Sequence, residues 1–471
     1  MPSWGKTLLL CCNFCINSYF SANNMSEIND LEQALLIAAA DADSRNVEEQ
    51  NSPEEPESEK IHCKEADFYK SISKSPEEPA KVEPVESNEK RTSPSKKESP
   101  RSQKRKLETE DSSDVSAKSL RGYANVVATH YNQLAEKGLG ERSKSRIIYL
   151  RNFHNWIKSM LINEYLTKIK DGKKHNAPLR VLDMCCGKGG DLLKWKKGNI
   201  THLICADIAS VSLDQCRDRY EDMKQRGSRD RSGGSVYTIE YIPGDCTRVR
   251  LREKFSDPSM KLDLVSCQFS FHYCFESLPQ AECMLRNASE CLQPGGFFIG
   301  TMPDAYDLIT RARKNGSNTF GNEVYEVTLD FDTDKPELFG AKYHFHLDGV
   351  VNCPEFLVHF PTLVKLAKKF GLKFVRREKF HEFFERMKNE GRYLMNTMRA
   401  LETFPCHDSG SLVGTEKDDY THASEYLKGK DGVRIGTLSK SEWEASSLYT
   451  TFVFEKVKNT WDKNGTPIYD I

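Results

Sequence analysis

Three aspartates and a run of glycines carry the first chemical signal in this chain. From Val181 to Asp191 the sequence reads Val-Leu-Asp-Met-Cys-Cys-Gly-Lys-Gly-Gly-Asp, an apolar stretch that runs into a Gly-rich turn. Asp207 lies 20 residues after Gly187, and Asp245 stands in Pro243-Gly-Asp-Cys246. Glycines let a backbone approach a ligand closely, and an acidic residue at that spacing suits the hydroxyls of an adenosine ribose. A Gly-rich turn alone serves several nucleotide cofactors. This one is loaded with acid at Asp183 and Asp191, and a pyrophosphate prefers helix N–H groups with no carboxylate beside them. An amine and a sulfonium suit carboxylates, so S-adenosyl-L-methionine is favoured over a dinucleotide. Farther along, Ser266-Cys-Gln-Phe-Ser-Phe-His-Tyr273 puts Gln268, His272 and Tyr273 where a substrate would meet that cofactor. A packed core histidine is the blander reading of His272, and on spacing alone the better one.

The elements that must position these residues follow from hydrophobic periodicity. Residues 145–170 place Ile148, Phe153, Trp156, Ile157, Met160 and Leu161 at helical spacing. Strands are predicted at Val181–Met184, Leu203–Ala206, Tyr237–Ile242, Leu264–Phe269, Phe297–Thr301, Leu372–Val375 and Tyr449–Glu455. Helices are predicted at Gly190–Lys197, Ser210–Gln225 and Gln280–Cys291. Such alternation implies an α/β fold with a mostly parallel sheet covered on both faces. Asp183, Asp207 and Asp245 then all fall at the carboxyl edge, where open α/β sheets bind ligands.

Composition sets the frame around this body. The chain has 471 residues and a formal charge of -1. Residues 21–120 carry 15 Lys and Arg against 23 Asp and Glu, a net of -8, while 121–471 carry 52 against 46, a net of +6. An acidic tail therefore precedes a mildly basic body that suits an anionic substrate. Residues 40–118 are rich in Glu, Ser, Lys and Pro, bury too little apolar surface to offset ordering entropy, and are expected to be disordered. Ser52, Ser75, Ser93 and Ser99 each precede Pro and fit proline-directed phosphorylation. The cluster Lys104-Arg105-Lys106 reads as a nuclear import signal; a solvated charge run is its ordinary reading. The domain division expected is thus 1–120 for the regulatory tail and 121–471 for a catalytic domain, with an inserted lobe at about 380–445.

The 15 cysteines are scattered, and the lone Cys12-x-x-Cys15 has no second pair, so reduced thiols and no metal site are expected. The apolar run at 7–20 follows Lys6 and has the look of a short signal peptide; an upstream extension, with Met25 as an alternative start, is the preferred reading. No other stretch is long and apolar enough to span a membrane.

Several longer runs carry a more specific likeness: Ser145-Arg-Ile-Ile-Tyr-Leu-Arg-Asn-Phe153, Gly187-Lys-Gly-Gly-Asp-Leu-Leu-Lys-Trp-Lys-Lys-Gly198, Phe320-Gly-Asn-Glu323, Pro354-Glu-Phe-Leu-Val358 and Gly436-Thr-Leu-Ser-Lys-Ser-Glu-Trp-Glu444. Over about 122–456 the chain resembles the eukaryotic mRNA cap guanine-N7 methyltransferases, in their vertebrate form. The resemblance implies a class I S-adenosylmethionine-dependent methyltransferase fold, Rossmann-like with a seven-stranded sheet. It implies cofactor contacts at Lys158, Cys185, Asp207, Asp245, Gln268 and Tyr273. It implies a cap-binding set of His154, Asn155, Lys188, Lys194, Arg219, His272, Glu355 and Tyr449. Capped mRNA is the implied substrate. A small activating miniprotein on the lobe, a nuclear import receptor and the transcription machinery are the implied partners, and the nucleus the implied location. The chain departs from the family at Cys185, where the family turn has Gly, and at His154, where it often has Asn.

Guanine N7 offers a lone pair and has no proton to lose, so in-line attack on a sulfonium methyl needs no general base. Orientation and exclusion of water would carry the catalysis. A methyltransferase acting on transfer RNA or a small molecule is a rival of the same class. A non-catalytic RNA-binding or scaffold protein with a degenerate cofactor turn is the rival of a different class.

Overall fold

The computed structural model describes residues 122–134, 139–229, 236–406 and 410–459, with Asp462 and Ile468. The acidic tail, its Ser-Pro pairs, the cluster at Lys104-Arg105-Lys106 and the Cys12–Cys15 pair lie outside the described residues. From Tyr123 onward the described residues belong to one unit.

Its centre is a seven-stranded sheet in the order β10-β13-β5-β4-β1-β2-β3. The strands are β1 (Arg180–Met184), β2 (His202–Asp207), β3 (Thr238–Pro243), β4 (Leu262–Gln268), β5 (Leu292–Pro303), β10 (Leu372–Lys379) and β13 (Tyr449–Lys456). β1 to β5 run parallel; β13 pairs antiparallel with both β5 and β10. β1, β2 and β4 are almost wholly buried, as expected of strands covered on both faces. The reversal of strand order between β1 and β4 makes the switch point, and the Gly-rich turn leaves β1 there.

The helices that matter for the site are α1 (Ala124–Gln133), α2 (Ile148–Asp171), α3 (Leu192–Lys197), α4 (Ser210–Arg229) and α5 (Leu278–Ser289). α2 lays Phe153, Trp156, Ile157 and Leu161 into the core, which accounts for the helical spacing of its apolar residues.

Two differences from the sequence reading have physical causes. β5 begins at Leu292 rather than after Gly295-Gly296; the glycines sit inside it, Gly295 at φ +82°, beside an irregularity in the β4 pairing. More importantly, a separate four-stranded antiparallel sheet, β6 (Thr319–Gly321), β7 (Tyr325–Leu329), β8 (Lys342–Leu347) and β9 (Val351–Phe356), was not anticipated. Its strands are short and alternate buried with exposed residues, a faint signal beside the buried runs of the main sheet. Between β10 and β13 the described residues hold four short helices and the pair β11 (Glu402–Phe404) and β12 (Ile435–Thr437). It packs on α2 through Phe153 against Phe384 and Trp443, and the Trp156 indole donates to the Gly391 carbonyl. Among the described residues no helix is long and apolar enough to cross a membrane.

Candidate cofactor and acceptor sites

Beyond β1 the backbone turns through three residues in the left-handed region: Cys185 at φ +56°, Gly187 at +52° and Gly189 at +74°. Glycine is required at 189 twice over, because a Cβ there would stand 2.7 Å from both Cys216 Sγ and a Leu192 methyl. Cys185 adopts the same backbone region with a side chain, which L residues do at a cost. Its thiol is accommodated beside those of Cys246 and Cys267.

Asp207, at the end of β2, holds this turn in place. One carboxylate oxygen accepts from the Gly187 N–H at 2.7 Å and the other from the Ala209 N–H at 2.8 Å. Burial raises its pKa, and these two amides work against that rise. Asp245, after β3, accepts from the Thr247 amide and hydroxyl and lies 3.3 Å from Arg248.

These groups face an open pocket of about 650 Å³, counting its open solvent. Cys185, Asp207, Asp245 and Tyr273, four of the six expected cofactor contacts, line it. Three carboxylates line it, from Asp207, Asp245 and Glu276, and among the described residues no Lys or Arg does. Ile208, Met284 and Phe356 supply apolar wall. A pocket with carboxylates, apolar wall and no cation fits a nucleoside bearing an amine and a sulfonium and disfavours a pyrophosphate.

The other two expected contacts sit differently. Lys158 pairs with Asp191 at 2.8 Å, and Lys194 pairs with the same carboxylate while also donating to the Asn155 side chain. The two ammoniums hold Asp191 in its charged form against the effect of burial. Asp183 accepts from the Trp195 indole. Thus the acidity of the turn, read from the sequence as open to the cofactor, is spent on internal partners at Asp183 and Asp191; the carboxylates lining the pocket come from the ends of β2 and β3 and from Glu276. Gln268 turns its amide to Ser266 and Thr301.

Sequence reasoning missed the roof. α1 contributes Tyr123, Ala124, Val127 and Tyr131 to the pocket lining. The Tyr123 amide donates to Glu276, Asn132 accepts from the Val211 amide, and Lys188 donates to the Leu134 carbonyl at 2.8 Å. α1 is therefore clasped at both ends across the carboxyl edge of the sheet. Its only sequence signal is Val127, Tyr131 and Leu134 at helical spacing, since its partners are distant in the chain.

Next to this pocket lies a second group of polar residues. The hydroxyls of Tyr131 and Tyr273 are 3.3 Å apart, and Tyr273 reaches Cys353 at 3.4 Å. Two residues on in β9, Glu355 is only 3% exposed. It sits directly across from Tyr343 of β8, whose hydroxyl donates to it at 2.8 Å. The other carboxylate oxygen lies 3.2 Å from His272 Nε2, without hydrogen-bond geometry, and among the described residues both ring nitrogens of His272 lack a hydrogen-bond partner though the residue is 2% exposed. Burial first, then the Glu355 charge, raise the pKa values of the nearby Tyr343 and Tyr449 phenols. Tyr449 stacks on Phe380, and His154 stacks on Phe269 while meeting Tyr449 edge-on and bonding to Ser446. Of the expected cap set, then, Glu355, His272, Tyr449 and His154 gather around one aromatic enclosure. Asn155 and Lys194 stand with the Asp191 ion cluster, Lys188 is tied to α1, and Arg219 is exposed on α4 outside the pocket lining.

A switch-point pocket of this make defines an S-adenosylmethionine-dependent methyltransferase. The mRNA (guanine-N(7))-methyltransferase domain matches residues 114–457. The chain belongs to that family. It is 53% identical over 356 residues to the mRNA cap guanine-N(7) methyltransferase of Drosophila melanogaster, covering 74% of this chain and 81% of that protein. It is 40% identical over 349 residues to the protein of the same name from Caenorhabditis elegans, covering 72% and 89%. It is 35% identical over 345 residues to mRNA cap guanine-N(7) methyltransferase 1 of Oryza sativa, covering 71% and 82%.

Proposed function

We propose that the protein methylates N7 of the guanosine cap of messenger RNA, with the donor held over Asp207 and Asp245 and the guanine held by Glu355. S-adenosylmethionine, when bound, supplies a methyl group on a sulfonium centre. Asp207 takes the ribose hydroxyls with the lone pairs that Gly187 and Ala209 leave free, and Asp245 lies at the adjoining edge of the pocket. Tyr131 and Tyr273 close the pocket on the side of Glu355.

The observation that carries the reading is the buried Glu355 carboxylate, one oxygen satisfied by Tyr343 and the other facing a poorly aligned imidazole. A buried carboxylate short of donors is costly, and guanine presents two donors on one edge, the N1–H and the N2 amine. Binding that edge turns N7 the opposite way, toward the donor. His272 and Tyr449 enclose the base and exclude water. Lys188, Lys194 and Arg219 hold the triphosphate, Asn155 orients Lys194, and His154 stands with Tyr449 in the aromatic enclosure. No proton moves, so these residues act by orientation. The test is methyl transfer from labelled cofactor to unmethylated capped RNA, with the product position identified. Transfer at guanine N7, and none to an adenosine-capped control, is expected. Equal transfer to uncapped RNA or transfer RNA would overturn the assignment.

We propose nuclear localisation through an import receptor reading Lys104-Arg105-Lys106, and docking of a small activating miniprotein on the 380–445 lobe, with recruitment to the transcription machinery. The exposed Tyr393 (63%) on that lobe is the supporting observation for docking. Unchanged nuclear accumulation after replacing all three basic residues with Ala would refute the first. Failure of a Tyr393→Ala chain to lose any co-purifying small protein would refute the second.

A further inference from the structure

Thiols crowd the back of the cofactor turn. Cys186 lies in the turn itself, Cys205 in β2 and Cys216 on α4, and their three sulfurs all lie within 4.8 Å of one another. All three are free thiols; Cys205 and Cys216 are fully buried and Cys186 is partly exposed. Nothing in the methyl-transfer chemistry uses them. Their wide separation in sequence, with no CxxC spacing, hid them from the sequence reading, which expected no metal site.

Zinc binds thiolate sulfur at about 2.3 Å, so three sulfurs on one tetrahedral zinc stand about 3.8 Å apart. Three sulfurs inside 4.8 Å need only small side-chain rotations to reach that arrangement. A disulfide, by contrast, needs two of them at about 2.05 Å with a strict dihedral. Sulfur donors select thiophilic ions over Mg2+ or Ca2+. Three thiolates on a divalent ion leave one net negative charge, and Arg217, next to Cys216 on α4 and also paired with Asp214, lies close enough to offset part of it. Among the three, Cys186 is the one residue that is not fully buried, and with three protein donors a water would complete a four-coordinate shell.

We propose that Cys186, Cys205 and Cys216 form a zinc site that pins the floor of the cofactor pocket. The ion would tie together the three elements that set that floor: the turn carrying Gly187, the strand ending in Asp207, and α4. Protonation is the competing state, because each thiol must lose its proton to bind, so occupancy rises with pH.

The test uses the full, reduced chain dialysed against chelator-buffered Zn2+, which keeps the Cys12–Cys15 pair present as a competitor. One zinc per chain is expected, lost in Cys216→Ser and in Cys205→Ser and retained in Cys283→Ser. Cobalt in place of zinc should give the thiolate charge-transfer absorption. Because a core substitution can simply unfold the chain, the wild-type protein supplies the second measurement. Zinc should protect Cys186 from alkylation in peptide maps, and its removal should expose it. Equal zinc content in the Cys216→Ser chain, or alkylation of Cys186 that ignores zinc, would overturn the proposal and assign any bound ion to the other thiols.

Discussion

Asp207, at the cofactor pocket, and Glu355, in the polar group next to it, are both buried carboxylates at the ends of strands, yet they are satisfied in different ways. Asp207 is anchored by two backbone amides within its own neighbourhood, which fix its orientation before any ligand arrives. Glu355 has a phenol on one oxygen and, on the other, a histidine that lacks hydrogen-bond geometry. The donor side is a finished wall; the acceptor side is short of donors and rewards a ligand that brings them. Preorganised groups set affinity steadily, whereas a short-changed buried group discriminates sharply between ligands that do and do not satisfy it.

The largest expected effect tests the acceptor side. Glu355→Ala should lower kcat/KM for capped RNA by on the order of a hundredfold or more, as two charge-assisted hydrogen bonds at about 1.5–3 kcal/mol each are lost. Calorimetric affinity for S-adenosylmethionine should barely move. Glu355→Gln should fare nearly as badly, because its amide turns a donor toward a donor. Normal activity in Glu355→Ala, with adenosine caps still rejected, would put base recognition elsewhere and dissolve the contrast.

Asp207→Ala comes next, with a ten- to hundredfold loss of cofactor affinity expected from one charge-assisted bond of about 1.5–3 kcal/mol. Part of that loss would act through the turn, since the Gly187 and Ala209 amides lose their acceptor. Circular dichroism should show a folded chain. Unaltered affinity in that folded chain would remove Asp207 from the site.

The donor half was legible because its chemistry is local. Gly187 and Gly189, the strand ends and Asp207 all fall within one β-α-β unit, where spacing alone fixes position. The acceptor half was legible only by family likeness: Glu355, His272 and Tyr449 come from β9, the turn after β4 and β13, and meet only through tertiary pairing. α1 was the clear omission. Its role depends on contacts between Tyr131 and Tyr273 and between Asn132 and Val211, 142 and 79 residues apart, which no local pattern encodes. Asp191 failed in the other direction: its acidity was visible, but the two lysines that neutralise it were not visible as its partners.

The roof offers a third measurement. Tyr131→Ala removes a side chain that bridges the donor pocket and the acceptor enclosure. Loss of that wall should raise the KM for S-adenosylmethionine and for cap together, by roughly tenfold each, at about 1.5–3 kcal/mol for a buried aromatic side chain shared between two sites. A change confined to one ligand would show that α1 serves one side only.

His154 separates the sides by pH. Burial, with Lys158 adding repulsion, holds its imidazole at about 3 rather than the usual 6.5. Below pH 6.5 the unfolded chain takes up a proton that the folded chain refuses, so this contribution to stability is whole above pH 6.5 and drains away as pH falls toward 3. His154→Asn should flatten the acid limb of the stability curve by up to one proton, read from denaturant midpoints against pH. An unchanged limb would mean that His154 titrates alike in both states.

The smallest effect is expected at Cys185, and it bears on how finished the donor wall is. Three terms compete in Cys185→Gly. The left-handed backbone at φ +56° is relieved, at about 1 kcal/mol. The unfolded chain gains freedom, which costs about 0.4–1 kcal/mol of stability. The thiol contacts with Cys246 and Cys267 are lost. Relief and loss nearly cancel, so stability should hardly change and cofactor affinity should stay within about threefold. A tenfold gain in affinity would mean that the side chain crowds the ligand and that the wall is imperfect where the family has Gly. A tenfold loss would make the thiol a cofactor contact in its own right. The near-neutral result is expected because the backbone relief and the lost packing beside Cys246 and Cys267 offset each other, while the Asp207 contact to the Gly187 N–H keeps the course of the turn.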